Sequence, residues 1–324
     1  MLYEPIRIGR LELKNRLVMP PMQTSRSDAG HVSEDMLNYY RERAIYSGPA
    51  LIITEHNSVT EAGRANREQL SIASDDLIEE HRRLAGTIHE AGSRVFAQLN
   101  HAGSNAMPLE GVELISASDV NVPLKDLPTR PRPLTEAEIA QLEDRFAEAA
   151  LRVVKAGYDG VEIHSAHGYL LNQFYSPMTN LRTDTYGAGS IENRTRFLVE
   201  TVAKVRSAVG ADFPLAVRLG GADYLPGGAT EEDAVAACRI LEQAGVDLLD
   251  ISGGMCYYKR PDHREPGFFS SMTEKIRAAV SVPVLLTGGI RLLQDAEQLL
   301  TEGKADLIGV GRPLYKDAHW AEKA

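Results

Sequence analysis

At 324 residues the chain is longer than the usual single domain, but α/β barrels run to this length, and its hydrophobic share is that of an ordinary globular protein. A formal net charge of −10 argues against nucleic acid as a partner, and no apolar run is long enough to span a bilayer. Two cysteines, Cys238 and Cys256, cannot build a disulfide framework and suit a reducing compartment. The opening Met-Leu-Tyr-Glu-Pro lacks the charged-then-apolar pattern of a signal peptide, so the expectation is a cytoplasmic protein without a membrane partner.

Eight short apolar runs recur along the chain, at 17–22, 51–56, 95–100, 161–164, 215–220, 248–253, 284–289 and 307–311. Amphipathic stretches separate them and begin at recognisable caps: Ser33 before Glu34 and Asp35, Ser74 before Asp75 and Asp76, and Thr230 before Glu231, Glu232 and Asp233. Thr135, followed by Glu136 and Glu138, opens a long helix to Ala156. Eightfold strand–helix alternation predicts an α/β fold, a parallel (β/α)8 TIM barrel, with a doubly wound sheet as the competitor. The missing Gly-x-Gly-x-x-Gly turn after the first strand weakens that competitor. Two connections are long, 101–134 after strand three and 165–190 after strand four. Pro108, Pro123, Pro128, Pro131 and Pro133 exclude helix from the first and leave a rim excursion or short hairpin. No second domain is visible, so 1–324 reads as one domain.

The chemistry concentrates at the end of the fourth run. Val161 and Ile163 share one strand face, Glu162 and His164 the other, and His167, Gly168 and Tyr169 follow in a loop. Two imidazoles and a phenol at the C-terminal rim of a barrel strand stand where barrels do chemistry. A single histidine there would more often be structural. The spacing does not fit a helical zinc site, and no metal is expected. Two neutral imidazoles can hold one carbonyl oxygen, and a tyrosine can supply a proton. That set lacks a hydride source, so a cofactor is implied.

Gln98 shares its parity with Asn100, and Arg218 alternates against Leu215, Val217 and Leu219, so both point toward the barrel mouth. The plainer alternative for Arg218 is a buried salt bridge with Glu162 or Asp250. Strands seven and eight end in Gly288-Gly289 and Gly309-Val-Gly311-Arg312, the loops where barrels commonly bind phosphate. Glycine there could instead serve packing alone. A phosphorylated cofactor at one side and a carbonyl-binding pair at the other leave room for a flat ring between them.

With these residues in view, the chain resembles the Old Yellow Enzyme family of flavin-dependent ene-reductases, and more closely its compact-barrel and 2,4-dienoyl-CoA reductase branches. The resemblance runs along the whole chain. It rests on Leu13-Lys-Asn-Arg-Leu-Val-Met-Pro-Pro-Met, Gln98-Leu-Asn-His-Ala-Gly, His164-Ser-Ala-His-Gly-Tyr-Leu, Asn180-Leu-Arg-Thr-Asp-Thr-Tyr-Gly with Glu192-Asn-Arg, and Gly309-Val-Gly-Arg-Pro. It implies an NAD(P)H-dependent flavin oxidoreductase that binds FMN, with NADH or NADPH as reductant and a small enone or enoyl compound as substrate. It places Pro20, Pro21, Met22 and Gln23 against the flavin ring and His56 where relatives carry a small or polar residue. Gln98 and Arg218 would meet the pyrimidine edge, and Gly289, Gly311 and Arg312 the phosphate. His164 and His167 would hold the substrate carbonyl, Tyr169 would donate the proton, and Ser25 stands where some relatives have a substrate-facing tyrosine. Gln23 departs from the cysteine, threonine or histidine of many relatives. Its amide either reaches the flavin or turns away, leaving only backbone in contact. The Tyr186-Gly-Ala-Gly-Ser turn is one residue longer than the family's, so the loop path is open. The dienoyl-CoA branch continues into a cysteine cluster and further flavin domains. This sequence ends at Ala324 without such cysteines, which leaves a short stand-alone enzyme and a piece of a longer one as alternatives. A homo-oligomer is open. So are a 2,4-dienoyl-CoA or steroid-type enoyl reductase and a flavin-free, phosphate-binding aldolase or isomerase. No lysine at a predicted strand end counts against the last, and a non-catalytic flavin carrier would have no use for the His pair with Tyr169.

Overall fold

The computed structural model describes residues 1–124 and 129–322. Eight strands close a parallel barrel in chain order. They are β1 (Leu17–Met19), β2 (Leu51–Ser58), β3 (Arg94–Asn100) and β4 (Gly160–Ser165), then β5 (Leu215–Ala222), β6 (Leu248–Gly253), β7 (Val284–Thr287) and β8 (Leu307–Gly309). Closure is made by β8 on β1, with Ile308 beside Leu17 and Gly309 beside Val18, which excludes the open doubly wound sheet. The surrounding helices are α1 (Glu34–Tyr46), α2 (Ile78–Glu90), α3 (Glu136–Lys155), α4 (Ile191–Val209), α5 (Glu231–Gln243), α6 (Ser270–Arg277), α7 (Leu293–Thr301) and α8 (Arg312–Lys316).

The caps mostly stand where the sequence puts them. Ser33 accepts from the Met36 amide, and Thr135 with Glu138 and Thr230 with Asp233 form capping boxes. Ser74 differs: it precedes one 3-10 turn, Asp75–Leu77, makes no side-chain cap bond, and α2 begins only at Ile78. β1 stops at Met19 rather than at 22, because Pro20 and Pro21 have no N–H for the ladder. β7 and β8 stop at Thr287 and Gly309, short of their glycine turns. The long connection after β3 is no hairpin, since Ile115–Ser116 and Arg132–Pro133 pair parallel. Pro128 lies outside the described residues.

Period-2 alternation sorts the strand residues into two cores. Val95, Ala97, Leu99, Val161, Ile163, Val217 and Leu219 pack outward under the helices. Inside, Val18, Leu51, Ile53, Phe96, Ala216, Leu248, Leu285 and Leu307 fill the lower barrel. A hairpin of Ile6–Ile8 and Leu11–Leu13 plugs that end with Ile8 and Leu13, both fully buried. One layer higher the inward residues turn polar: Gln98, Glu162, Arg218 and Asp250. The fold thus has an apolar floor and a polar shelf beneath the C-terminal rim.

The floor is tight at Gly160, which pairs with Phe96 and whose added Cβ would lie 2.4 Å from that ring. Gly160→Ala should cost about 1–3 kcal/mol by overpacking, read as a lower urea midpoint at unchanged m. An unshifted midpoint would show that the ring can move aside.

Candidate active site

A cavity of about 710 Å³ opens at the C-terminal rim. The end of β1 gives it Pro20, Pro21, Met22 and Gln23; β2 gives His56 and β3 Gln98; β4 gives His164, with His167 and Tyr169 beyond it. Arg218 comes from β5, Gly289 from the turn after β7, and Gly311 and Arg312 from the turn after β8. The rim therefore gathers every expected site residue except Ser25. That serine is exposed on the loop after β1, at φ 56°, and does not line the cavity.

The polar shelf forms its base. Gln98 Nε2 donates to Glu162 Oε1 at 2.8 Å, and Arg218 Nε stands 3.2 Å from Asp250 Oδ2. Arg218 Nη1 also donates to the Pro21 carbonyl at 3.2 Å. Arg218 thus makes the buried ion pair, with Asp250 rather than Glu162, and still lines the cavity. Burial raises the Glu162 carboxyl well above its ordinary value, and the Asp250 charge adds to this. Asp250 is raised less, with the Arg218 charge opposing its burial. Asp250, beside the guanidinium, is the counter-ion of Arg218.

Above the shelf stand the imidazoles. The His164 ring lies 5.2 Å from that of His167 and 5.1 Å from that of Tyr169. His164 Nδ1 is buried without a hydrogen-bond partner, and His167 Nε2 meets Ser252 Oγ at 2.7 Å. Burial drives both imidazoles well below their ordinary pKa, His167 and Arg218 adding to it at His164, and Arg218 and His56 at His167. Both rings are neutral at pH 7. Burial pushes the Tyr169 phenol up to about 12, so it keeps its proton. The loop carrying them is tied at Gly168, whose N–H donates to Asn172 Oδ1 at 2.8 Å and whose carbonyl accepts from Asn105 and Gln173, each at 2.7 Å. Tyr169 then caps the short helix Leu170–Tyr175.

At the far end, Gly288 and Gly289 turn at φ 142° and 70°, and a Cβ on Gly289 would sit 2.5 Å from the Glu265 carbonyl. Backbone therefore approaches the cavity bare of side chains. Arg291, Arg312 and Lys316 line this end and none makes an ion pair among the described residues. Arg291 and Lys316 escaped the sequence reading, although Lys316 falls one helical turn after Arg312. Tyr258 also escaped it; its ring stands edge-on to His167 at 6.3 Å. Gln23 does not present a free amide: Nε2 donates to Asn66 Oδ1 at 2.7 Å, and Oε1 accepts from Asn66 Nδ2 at 3.1 Å. Cys256 and Cys238 are unpaired, buried and outside the cavity lining.

Comparison with known proteins gives the site its family. The NADH:flavin oxidoreductase / NADH oxidase family model matches residues 1–324. The chain belongs to this family, the Old Yellow Enzyme family of FMN-dependent NAD(P)H oxidoreductases. It is 39% identical over 332 residues to a protein named NADH oxidase from Thermoanaerobacter brockii, covering 100% of this chain and 50% of that protein. It is 37% identical to an NADPH dehydrogenase of Bacillus subtilis, covering 100% of this chain and 94% of that one. This chain thus spans about half of the first relative and nearly all of the second. The solved 2-naphthoyl-CoA reductase in complex with 2-naphthoyl-CoA superposes with a TM-score of 0.91 at 28% identity, over 99% of this chain and 51% of that one. The Old Yellow Enzyme homologue from Zymomonas mobilis gives 0.87 at 30% identity, over 99% and 91%.

The residues present fit FMN: bare glycine backbone with unpaired cations at one end, donors Gln98 and Arg218 at the base, and open space between. A first consequence concerns pH. Imidazoles whose pKa is lowered stay neutral down to that lowered value and gain a proton only below it. A phenol with its own pKa near 10 should therefore bind with an affinity that changes less than about twofold from pH 8 to 6, measured by titration. A steep loss beginning near 6.5 would show that His164 or His167 titrates as an ordinary imidazole.

Proposed function

We propose that the chain reduces the activated C=C bond of α,β-unsaturated carbonyl compounds, with NADH or NADPH as reductant, and that residues 1–324 act as one FMN-binding domain. The observation that carries this reading is the convergence of two neutral imidazoles and an un-ionised phenol on a cavity whose other end suits a phosphate. Pro20, Pro21, Met22 and Gln23 would support the ring, Gln98 and Arg218 its polar edge, and Gly289, Gly311 and Arg312 the phosphate. FMN, when bound there, would supply the hydride-transfer chemistry between the nicotinamide and the β-carbon of the substrate. His164 and His167 hold the substrate oxygen, and their hydrogen bonds strengthen as negative charge develops on it. Their neutrality suits this, since each then donates one N–H without a counter-ion. Tyr169 transfers its proton to the α-carbon. One cavity serves the nicotinamide and the enone in turn, which makes the kinetics ping-pong. The likeness to 2-naphthoyl-CoA reductase favours testing enoyl-CoA substrates beside simple enones.

The visible spectrum of the purified protein, followed by anaerobic titration with NADH or NADPH and then enones, tests this reading. A protein that neither carries nor takes up FMN would overturn it. Arg312→Ala should weaken FMN retention by roughly tenfold or more, as loss of a charge-assisted hydrogen bond does, while the chemistry of retained flavin changes little.

Changing both His164 and His167 to Ala should weaken phenol binding and slow enone reduction by ~10²–10³, with reduction by NAD(P)H largely spared. Unchanged phenol affinity would make the pair structural. Tyr169→Phe should leave binding intact and slow turnover; full activity would mean that another acid donates.

A further inference from the structure

His56, at the end of β2, is held unlike the other imidazoles of the cavity. Gln69 Oε1 accepts from the Ala65 amide at 2.5 Å, which decides how that side-chain amide is oriented. Its Nε2 then faces His56 Nδ1 at 3.3 Å, and Asn100 Nδ2 approaches the same nitrogen at 3.0 Å. Two NH₂ groups converge on Nδ1, so Nδ1 accepts and the proton of the neutral ring lies on Nε2. Nε2 meets Gln23 Oε1 at 3.5 Å, the outer limit of a hydrogen bond, and that oxygen also accepts from Asn66 at 3.1 Å. The Gln23–Asn66 clasp holds that oxygen at this distance, so the His56 N–H has only a long bond, which a ligand oxygen at ordinary distance would replace. Tyr169 lies 5.3 Å away and His164 6.3 Å, ring to ring, so His56 shares their wall of the cavity. The groups facing it are Gln23, Gln69, Asn100, His164 and Tyr169, none of them a carboxylate. Burial pushes its pKa down to about 4.

We propose that His56 is a cofactor-binding residue, a neutral imidazole locked as the Nε2–H form that donates to a carbonyl oxygen of the bound flavin ring. The proposal rests on the reading of the cavity as an FMN site and adds a donor that the family resemblance does not supply, since relatives carry a small or polar residue there. Its chemical consequence has a definite sign. Reduction puts charge on the ring, a fixed N–H donor gains from that charge, and the reduced flavin is held more tightly than the oxidised.

Two measurements on the FMN-loaded protein test it. In ¹⁵N NMR of histidine-labelled protein, the signal lost in His56→Asn should have a bare Nδ1 and a protonated Nε2, with no titration from pH 8 to 5.5. In Gln69→Glu, which retains an oxygen for Ala65 and places carboxylate on Nδ1, that nitrogen should gain a proton. In the second measurement, His56→Ala should hold reduced relative to oxidised flavin about tenfold less tightly, a potential about 30 mV lower for the two-electron couple. His56→Gln, which restores an N–H donor, should recover part of the shift. An Nδ1–H tautomer in the wild type, titration near 6.5, or an unchanged potential in His56→Ala each overturns the proposal. Wild type that binds no FMN overturns the flavin reading itself, whereas FMN bound at an unchanged potential in His56→Ala removes only the role of His56.

Discussion

One buried guanidinium holds the site together. Arg218 reaches from β5 to Asp250 on β6 and to the Pro21 carbonyl beyond β1, so a single side chain joins two neighbouring strands to the turn across the barrel. An uncompensated charge at this depth would cost several kcal/mol, roughly the stability of a small domain. Asp250 removes that cost, and beside the pair Gln98 donates to Glu162. Arg218 has five N–H donors and spends only part of them inside the protein. The side chain also lines the cavity, where negative charge on a bound ring would find the guanidinium already in place.

Much of this was legible in period-2 alternation. Strands buried on both faces show it in residue type, and the alternation of Gln98 and Arg218 against aliphatic neighbours placed them inward correctly. The same rule fails at His56. Leu51 and Ile53 face the barrel interior while Ile52 packs outward, so strict alternation would send Glu55 inward and His56 out. The register shifts between Thr54 and Asn57, and that irregularity turns His56 to the cavity. Glu55 goes instead to Thr24 and Tyr40. No local signal marks such a bulge, and only the family resemblance put His56 at the site.

Loops were less legible for a similar reason. Prolines excluded helix from the connection after β3 but could not fix the direction of the short pair Ile115–Ser116 and Arg132–Pro133. The Gln23–Asn66 clasp joins residues 43 apart through side chains that any exposed loop could carry. The Asn180–Gly187 motif, one of the marks of the resemblance, braces the chain around it. Asn180 Nδ2 donates to the Phe174 and Tyr186 carbonyls at 2.7 Å each, and Arg182 pairs with Asp184 while donating to the Leu134 carbonyl at 2.5 Å. These bonds seat the far end of the segment that begins with His167 and Tyr169.

That bracing explains a conflict at His167. Its backbone sits at φ 59°, in the left-handed region, which costs a residue with a Cβ on the order of 1–2 kcal/mol. Glycine would relax the backbone and remove the imidazole. The chain instead places glycine next door, at Gly168 with φ 71°, and ties both ends of that residue by hydrogen bonds. A strained residue persists only where its surroundings over-determine it, and here Asn105, Asn172 and Gln173 supply the constraint. The reward is a donor that need not reorganise when charge appears on the ligand. Strain at His167, a braced loop around it and neutral rings above the shelf that Arg218 ties together are therefore one arrangement: the protein meets the cost of orientation during folding, before any ligand arrives.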